Sequence, residues 1–456
     1  MKRLPTEIFF KIFELLASQH CENTGFVNFH DSLVDTMLVC HQWHQMIISN
    51  PKIWSRISIF SHRPRILLIQ TCLTRSQTVP LDICLHLHSG ASCGLSPGDS
   101  CDDVAQIIQL VCLHQWRIGS FQIRAASEGQ LRHALLALNP QFPALKKLRC
   151  EVHSASTISR VEIRKLELPL LQDLYLCKTP SVWGSLVVKN LRRLTIASLY
   201  NGIYMKSLFS LLAATPDLKH LDIFRITSPH AENPIILLQL DTLIIRQPAG
   251  VGMLAIFLSR FIIPNLCTLY INCEAQSTNV IEPLGHLPYL KHLSLLWIKP
   301  ERDLLPQLAI HAPNLQSLML SACFSLAPLP IQFLGRLQPN GQLPFPHLTT
   351  VIFRRVKLAR VVELVLARPT IKEVFLFSGD HYATGSNKKI MSQHLSQLRQ
   401  CVKVVFFWSR TEDYEPDVQA RKLMFKGDLI WPDLRGCDAV CIEDYLEDTY
   451  GINAGN

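Results

Sequence analysis

Cysteine and histidine are the side chains best suited to chemistry here, and several gather near the N-terminus. Cys21, His30, Cys40, His41 and His44 are zinc-ligand types. Structural zinc sites usually pair their thiolates at Cys-x-x-Cys spacing, and that pairing is missing. A metal is therefore not expected. Cys93, Cys101, Cys437 and Cys441 read as ordinary thiols. His, Asp and Ser are plentiful, yet the sequence contains no Gly-x-Ser-x-Gly, no phosphate-binding Gly-rich loop and no His-Glu-x-x-His. The expectation is a non-catalytic chain without a cofactor. What remains is binding chemistry. Arg149, Tyr175, Arg193, Phe224, Arg246, Tyr270, His292, Arg354, Phe375 and Trp408 flank the strand anchors of a repeated phrase. Arginine and aromatic residues are the types enriched at protein-binding hot spots. The plainer alternative is that they are half-exposed strand residues with no partner.

The phrase that positions them is clearest at Ala312–Leu320, APNLQSLML, or Pro-x-Leu-x-x-Leu-x-Leu. It returns as FPALKKLRC, LPLLQDLYL, TPDLKHLDI, IPNLCTLYI, LPYLKHLSL, FPHLTTVIF and RPTIKEVFL, and without the proline as VKNLRRLTI and LLQLDTLII. RQCVKVVFF is a last, degenerate copy. The first anchors are Leu145, Leu171, Leu191, Leu218, Leu240, Leu266, Leu290, Leu315, Leu348, Ile371 and Val402, mostly 20 to 27 residues apart with longer steps of 33 and 31. This resembles the period of leucine-rich repeats, roughly 20–29 residues. The last two anchors alternate as in a strand with one buried face. The proline, lacking an N–H, sits just outside the ladder. Residues between the anchors would line the concave wall of such a solenoid, and the ten binding candidates flank the strand anchors.

Composition sets outer limits. The chain has 456 residues, too many for one compact core, with 48% hydrophobic and 18% charged residues. That balance excludes an intrinsically disordered protein. No uninterrupted apolar run reaches membrane-spanning length, and no secretory leader is apparent. Fifteen cysteines without framework spacing suit a reducing compartment, cytoplasmic or nuclear. The net charge is +9, and its cations are spread along the chain. This gives a mild preference for acidic partners without a nucleic-acid signature.

The N-terminal stretch is of another kind. LPTEIFFKIFELL (Leu4–Leu16) has Pro5 near a helix start, Thr6 as a cap candidate and Glu7 in the first turn. Ile8, Ile12, Leu15 and Leu16 fall on one helical face, with Phe9 and Phe13 beside them. A second helix is expected over Ser32–Ile47, where Leu33, Met37, Cys40, Trp43, His44 and Ile47 recur at helical steps. Asn50–Phe60 turns at Pro51 and alternates into a strand. Leu4–Pro5, Glu7–Ile8, Ile12–Phe13, Val39–Cys40, Trp43, Pro51 and Trp54 together resemble an F-box in order and spacing, with a longer loop after the first helix. In that family Cys40 occupies a core position. The resemblance implies that Leu4, Pro5, Glu7, Ile8, Ile12, Phe13, Leu15, Leu16, Val39, Cys40, Trp43, Ile47, Pro51 and Trp54 dock on a Skp-type adaptor.

Leu73–Leu87 and His114–Ile123 are similar to the region after the F-box in many mushroom-type fungal F-box proteins. Physically they read as helix Arg65–Leu73, strand Leu81–Leu87, loop Ser89–Asp102, helix Asp103–His114 and strand Ser120–Arg124. From Glu128 onward helical runs alternate with the strand phrase: Gln130–Leu138, Met205–Ala214, Met253–Phe261, Leu304–Ala312, Ala359–Ala367 and Met391–Arg399. The step before Leu348 holds Pro328, Pro330, Pro339 and Gly341 and reads as an excursion. The expected fold class is α/β: a helical F-box over 1–60, divergent capping repeats over 61–127, a leucine-rich-repeat-like horseshoe solenoid over 128–410, and a C-terminal cap and tail over 411–456.

Two functions follow from this reading. The resemblance implies a substrate receptor of a Skp–cullin–F-box ubiquitin ligase, holding a protein substrate on the solenoid and reaching cullin through the adaptor. The alternative is an adaptor-independent binding scaffold with the F-box as its cap. They differ in whether the Leu4–Phe13 face is free or tucked against Arg65–Leu87. Neither involves nucleic acid or a membrane.

Overall fold

The computed structural model describes residue 5 and residues 7–13, 34–61, 65–87, 101–138, 141–153, 166–179, 186–197, 205–224, 234–246, 251–272, 285–296, 304–321, 329–338, 341–354, 358–378 and 388–408. Residues 89–100 of the expected loop Ser89–Asp102, the cap and tail over 411–456, and Leu4, Leu15 and Leu16 lie outside these residues; Cys101 and Asp102 are already helical. The fold is mixed α/β, with a helical N-terminal region and long runs of parallel strands. It divides into two units, Met1–Ile235 and Ile236–Asn456.

In the first unit, β1 (Arg56–Phe60), β2 (Leu81–Leu87), β3 (Ile118–Ala125), β4 (Lys147–Val152), β5 (Asp173–Cys177), β6 (Arg193–Ala197) and β7 (His220–Phe224) each pair in parallel with the next. Parallel neighbours need a crossover connection. Helices Ile66–Arg75, Cys101–Leu113, Glu128–Ala137 and Met205–Ala213 lie in four of these connections, within a few residues of the sequence expectation. Ser127 caps one of them, its Oγ accepting from the Gln130 N–H at 3.3 Å.

The second unit repeats the scheme. β8 (Thr242–Arg246), β9 (Thr268–Asn272), β10 (His292–Leu296), β11 (Ser317–Ser321), β12 (Thr350–Arg354), β13 (Glu373–Ser378) and β14 (Lys403–Trp408) pair in parallel in order. Its described helices are Val251–Leu258, Leu304–His311, Leu329–Gly335, Leu358–Ala367 and Lys388–Cys401. The helix Leu329–Gly335 stands inside the proline-rich excursion.

All eleven first anchors, from Leu145 to Val402, are buried. The strand anchors beside them, such as Leu174 with Leu176 and Leu243 with Ile245, are buried too. Each fully buried side chain of this size contributes roughly 1.5–3 kcal/mol. Helical residues such as Leu131, Leu135, Leu208, Leu308 and Val361 add to the same core.

The proline has a more specific role than the missing donor alone explains. In TPDL, the Leu218 N–H donates to Thr215 O at 3.2 Å, closing a β-turn with Pro216 at its second position. The same turn holds Leu145, Leu171, Leu266, Leu290, Leu315, Leu348 and Ile371. Proline's fixed φ is already that of the second turn residue. An asparagine at the third position ties some turns to the preceding one. Asn265 Nδ2 donates to Leu238 O, and Asn314 Nδ2 to Pro288 O, both at 2.8 Å.

The two units differ on the other strand face. In the first, β5 and β6 alternate strictly between buried and more exposed residues. In the second, β8 and β9 are buried on nearly every residue.

Candidate functional site

Two surfaces of the first unit present functional side chains: the N-terminal helical hairpin and the open strand face.

Residues 7–13 form a helix in which Phe9 and Phe13, four apart, share one face. Their rings pack on Trp43, with centroids 5.7 and 5.6 Å away. Trp43 sits on helix His41–Ser49, which buries Met46 and Ile47. The single helix expected over Ser32–Ile47 is interrupted. Residues 34–37 are helical, and the turn then tightens as the Val39 N–H reaches Thr36 O at 3.3 Å. Cys40 is extended at the N-cap position of the next helix, makes no side-chain capping bond, and is exposed, not in the core position that the family pattern implies. This break puts Leu38 and Val39 out of the core periodicity.

The consequence is an apolar surface. Leu38 is 77% exposed, Val39 60%, Ile8 46% and Ile12 40%. Pro5, Glu7 and Cys40 are also exposed, while Trp43 and Pro51 are half-buried. Three residues of the expected adaptor set require correction. Phe13, Ile47 and Trp54 are buried, so they build the hairpin and its seat and do not face a partner. Trp54 Nε1 donates to Ile47 O at 2.8 Å, and the Arg75 guanidinium lies 4.5 Å from the Trp54 ring centroid. Asn50 caps helix Pro51–Trp54 by accepting from the Lys52 N–H at 3.1 Å. Val34 and Leu38, absent from the expected set, are exposed apolar residues of the same hairpin. Their signal is an apolar residue off the buried face of an amphipathic stretch.

On the strand face, parallel register brings side chains 26 and 20 residues apart into a row. Arg149 stands beside Tyr175, which stands beside Thr195. Two residues earlier, on the same face, Lys147, Asp173, Arg193 and His220 form a second row. The Arg149 guanidinium lies 4.1 Å from the Tyr175 ring centroid and is ion-paired with Glu151. Glu151 also meets Arg124 at 3.0 Å. Burial pushes the Tyr175 phenol well above its ordinary range, and Cys177 adds to this. Burial also raises the Asp173 carboxyl, against the opposing pull of Arg193, Lys147 and Arg149. The face thus carries one stacked, ion-paired arginine beside a half-buried tyrosine, with further exposed cations in the second row.

Of the ten candidate binding residues, Arg149 and Arg193 are exposed, and Tyr175 and Phe224 are half-buried, all in the first unit. In the second unit, Arg246 and His292 are half-buried. Burial, with Lys291 adding, lowers the His292 pKa to about 4, so its imidazole is neutral at pH 7. Tyr270 and Phe375 are 2% and 1% exposed, so as open wall residues both are corrected. They share a row with Ile244, Met319 and Ile352, which are buried as well. Arg354 and Trp408 stand on strands, but their side chains lie outside the description. Among the described residues, no group of three His, Cys, Asp or Glu could hold a metal, and no helix is long and apolar enough to cross a membrane.

The hairpin geometry agrees with a comparison of the sequence against protein families. Residues 1–60 match the F-box-like family. The chain carries an F-box-like domain. Its Trp54 forms the seat on which the F-box-like hairpin meets helix Ile66–Arg75. F-box domains generally bind Skp-type adaptors. A search of the curated proteins with this chain finds no match.

Proposed function

We propose that this chain is the substrate-recognition subunit of a Skp–cullin–F-box ubiquitin ligase. The observation that carries the proposal is the exposure of four large apolar side chains, Ile8, Ile12, Leu38 and Val39, on the hairpin segments joined by the packing of Phe9 and Phe13 on Trp43. Large exposed apolar side chains held together on a rigid helical unit mark a protein-docking face. In this reading the Skp-type adaptor covers that face and links the chain to cullin. The strand region is a leucine-rich-repeat-like solenoid that holds the protein substrate. The buried anchors, the proline turns and the consecutive parallel strands support this architecture. The chain performs no catalysis and uses no cofactor; it raises the local concentration of substrate at the ligase. Its place is the reducing interior of the cytoplasm or nucleus, with neither membrane nor nucleic acid as partner.

Calorimetric titration with a Skp-type adaptor tests the proposal. The unaltered chain binds. An Ile8→Asp/Ile12→Asp variant loses at least tenfold in affinity, because each position gives up the burial of an isoleucine. Its melting temperature is unchanged, since both side chains are outward. No binding by the unaltered chain would contradict the reading. One observation favours the second reading, a scaffold capped by the hairpin: Ile47 and Trp54 already anchor the hairpin to the first unit. That scaffold predicts equal, negligible heats for both proteins.

A further inference from the structure

The cations that look dispersed in the sequence are gathered at one edge of the first unit. The turns leading into β4, β5, β6 and β7 carry Lys146–Lys147, Gln172–Asp173, Arg192–Arg193 and Lys219–His220. Backbone hydrogen bonds hold these turns in step. Lys146 O accepts from the N–H groups of Gln172 and Asp173 at 2.9 and 3.0 Å. Gln172 O accepts from Arg192 and Arg193, and Arg192 O from Lys219 and His220, all at 2.9 Å. Lys146, Lys147, Arg192, Arg193 and Lys219 are all exposed. Among the described residues none of them has an ion-pair partner within 4.0 Å. Asp173, half-buried, is the one carboxylate in the two rows.

The equivalent positions of the second unit show no such excess. They read Asp241–Thr242, Cys267–Thr268, Lys291–His292, Gln316–Ser317, Thr349–Thr350, Lys372–Glu373 and Val402–Lys403, with Lys403 paired to Glu373 at 3.0 Å. The concentration of charge is therefore a feature of three of the four turns, those leading into β4, β6 and β7, not a by-product of the repeat. Strands lie about 4.8 Å apart, so four turns span about 15 Å, the length of roughly four or five extended residues. Several like charges over that distance set up a potential that attracts an anionic partner.

We propose that this edge binds an acidic segment of a polypeptide, engaging carboxylate or phosphate anions carried on about five consecutive residues. The proposal rests on the receptor reading above and names the chemistry of the substrate it takes. A nucleic acid fits less well. The two rows offer no exposed Phe, Tyr or Trp on which bases could stack, and Asp173 sits among the cations.

Fluorescence anisotropy with the full chain tests this. The probes are a labelled Glu-rich peptide, its phosphoserine counterpart, an uncharged Gly/Ser peptide and a single-stranded oligoribonucleotide. Both acidic peptides are expected to bind and the uncharged one not, with affinity falling as salt rises. The tighter of the two acidic probes identifies the anion. Arg192→Glu/Lys219→Glu is expected to weaken binding at least tenfold with unchanged melting, while Lys372→Glu, in the second unit, leaves it unaltered. Full peptide affinity in the double variant overturns the proposal, and so does tighter binding of the oligoribonucleotide than of either peptide. Adaptor titration separates the two readings. A chain that binds adaptor but no acidic peptide keeps the receptor function and loses this inference. One that binds the peptide through the edge but no adaptor keeps the edge and loses the receptor.

Discussion

Arg368 has no carboxylate partner among the described residues, yet it is wholly buried. Its Nη1 donates to Leu334 O at 3.1 Å and to Pro344 O at 2.6 Å, its Nη2 to Phe345 O, and its Nε to Thr370 Oγ1 at 3.2 Å. Phe345 takes a positive φ of 52°, a costly conformation for a bulky side chain. The guanidinium thus ties the end of helix Leu329–Gly335 to a strained turn and to the start of the next one. Burial lowers its pKa to about 10, so the charge persists at neutral pH. Arg117 does similar work in the first unit, reaching Leu73 O at 2.7 Å and Val79 O at 3.2 Å. Replacing Arg368 by methionine keeps the stem but takes this donor from the Leu334 and Pro344 carbonyls, at about 1–3 kcal/mol for each buried group, while Phe345 O keeps the Leu348 N–H. Chemical denaturation is expected to show Arg368→Met destabilised by about 3 kcal/mol or more. A loss below about 0.5 kcal/mol would show the carbonyls to be satisfied otherwise.

At the scale of elements, the anchor register carries the fold. Leu318 is buried between Leu293 and Val351 on the neighbouring strands. Leu318→Asp places a charge there and is expected to cost on the order of 4–5 kcal/mol or more. Limited proteolysis should then cut around β10 to β12, whereas undiminished resistance would contradict the register. This register was legible because a period-2 alternation following Pro-x-Leu specifies one buried face. Helix positions were legible within a few residues for the same reason. What escaped was whatever depends on a second surface. Nothing local distinguishes Tyr175, half-buried on an open face, from Tyr270, buried in an equivalent slot; the surroundings decide. The pattern Leu33, Met37, Cys40, Trp43 reads as one helix because Cys40 keeps the helical step. Its extended backbone restarts the periodicity and sends Leu38 and Val39 outward. The exposed apolar set was therefore only partly legible. Of the residues that the family pattern singles out, Ile8, Ile12 and Val39 are exposed, while Phe13, Ile47 and Trp54 are buried.

For the whole molecule, the proposed docking and capture functions fall on different surfaces of the first unit. The hairpin offers uncharged apolar groups, suited to a stable subunit contact. The strand edge offers exposed charge, whose attraction is salt-sensitive and suited to a partner that comes and goes. The net charge of +9 reports only a mild average, and the fold turns part of it into a local feature by aligning Lys146, Arg192 and Lys219 on three of four successive turns. Backbone hydrogen exchange of the full chain, with and without a Skp-type adaptor, tests whether the hairpin is the adaptor-docking face. New protection is expected over residues 7–13 and 34–40, with unchanged exchange in β4, β5 and β6. Protection of those strands with none in the hairpin would contradict it.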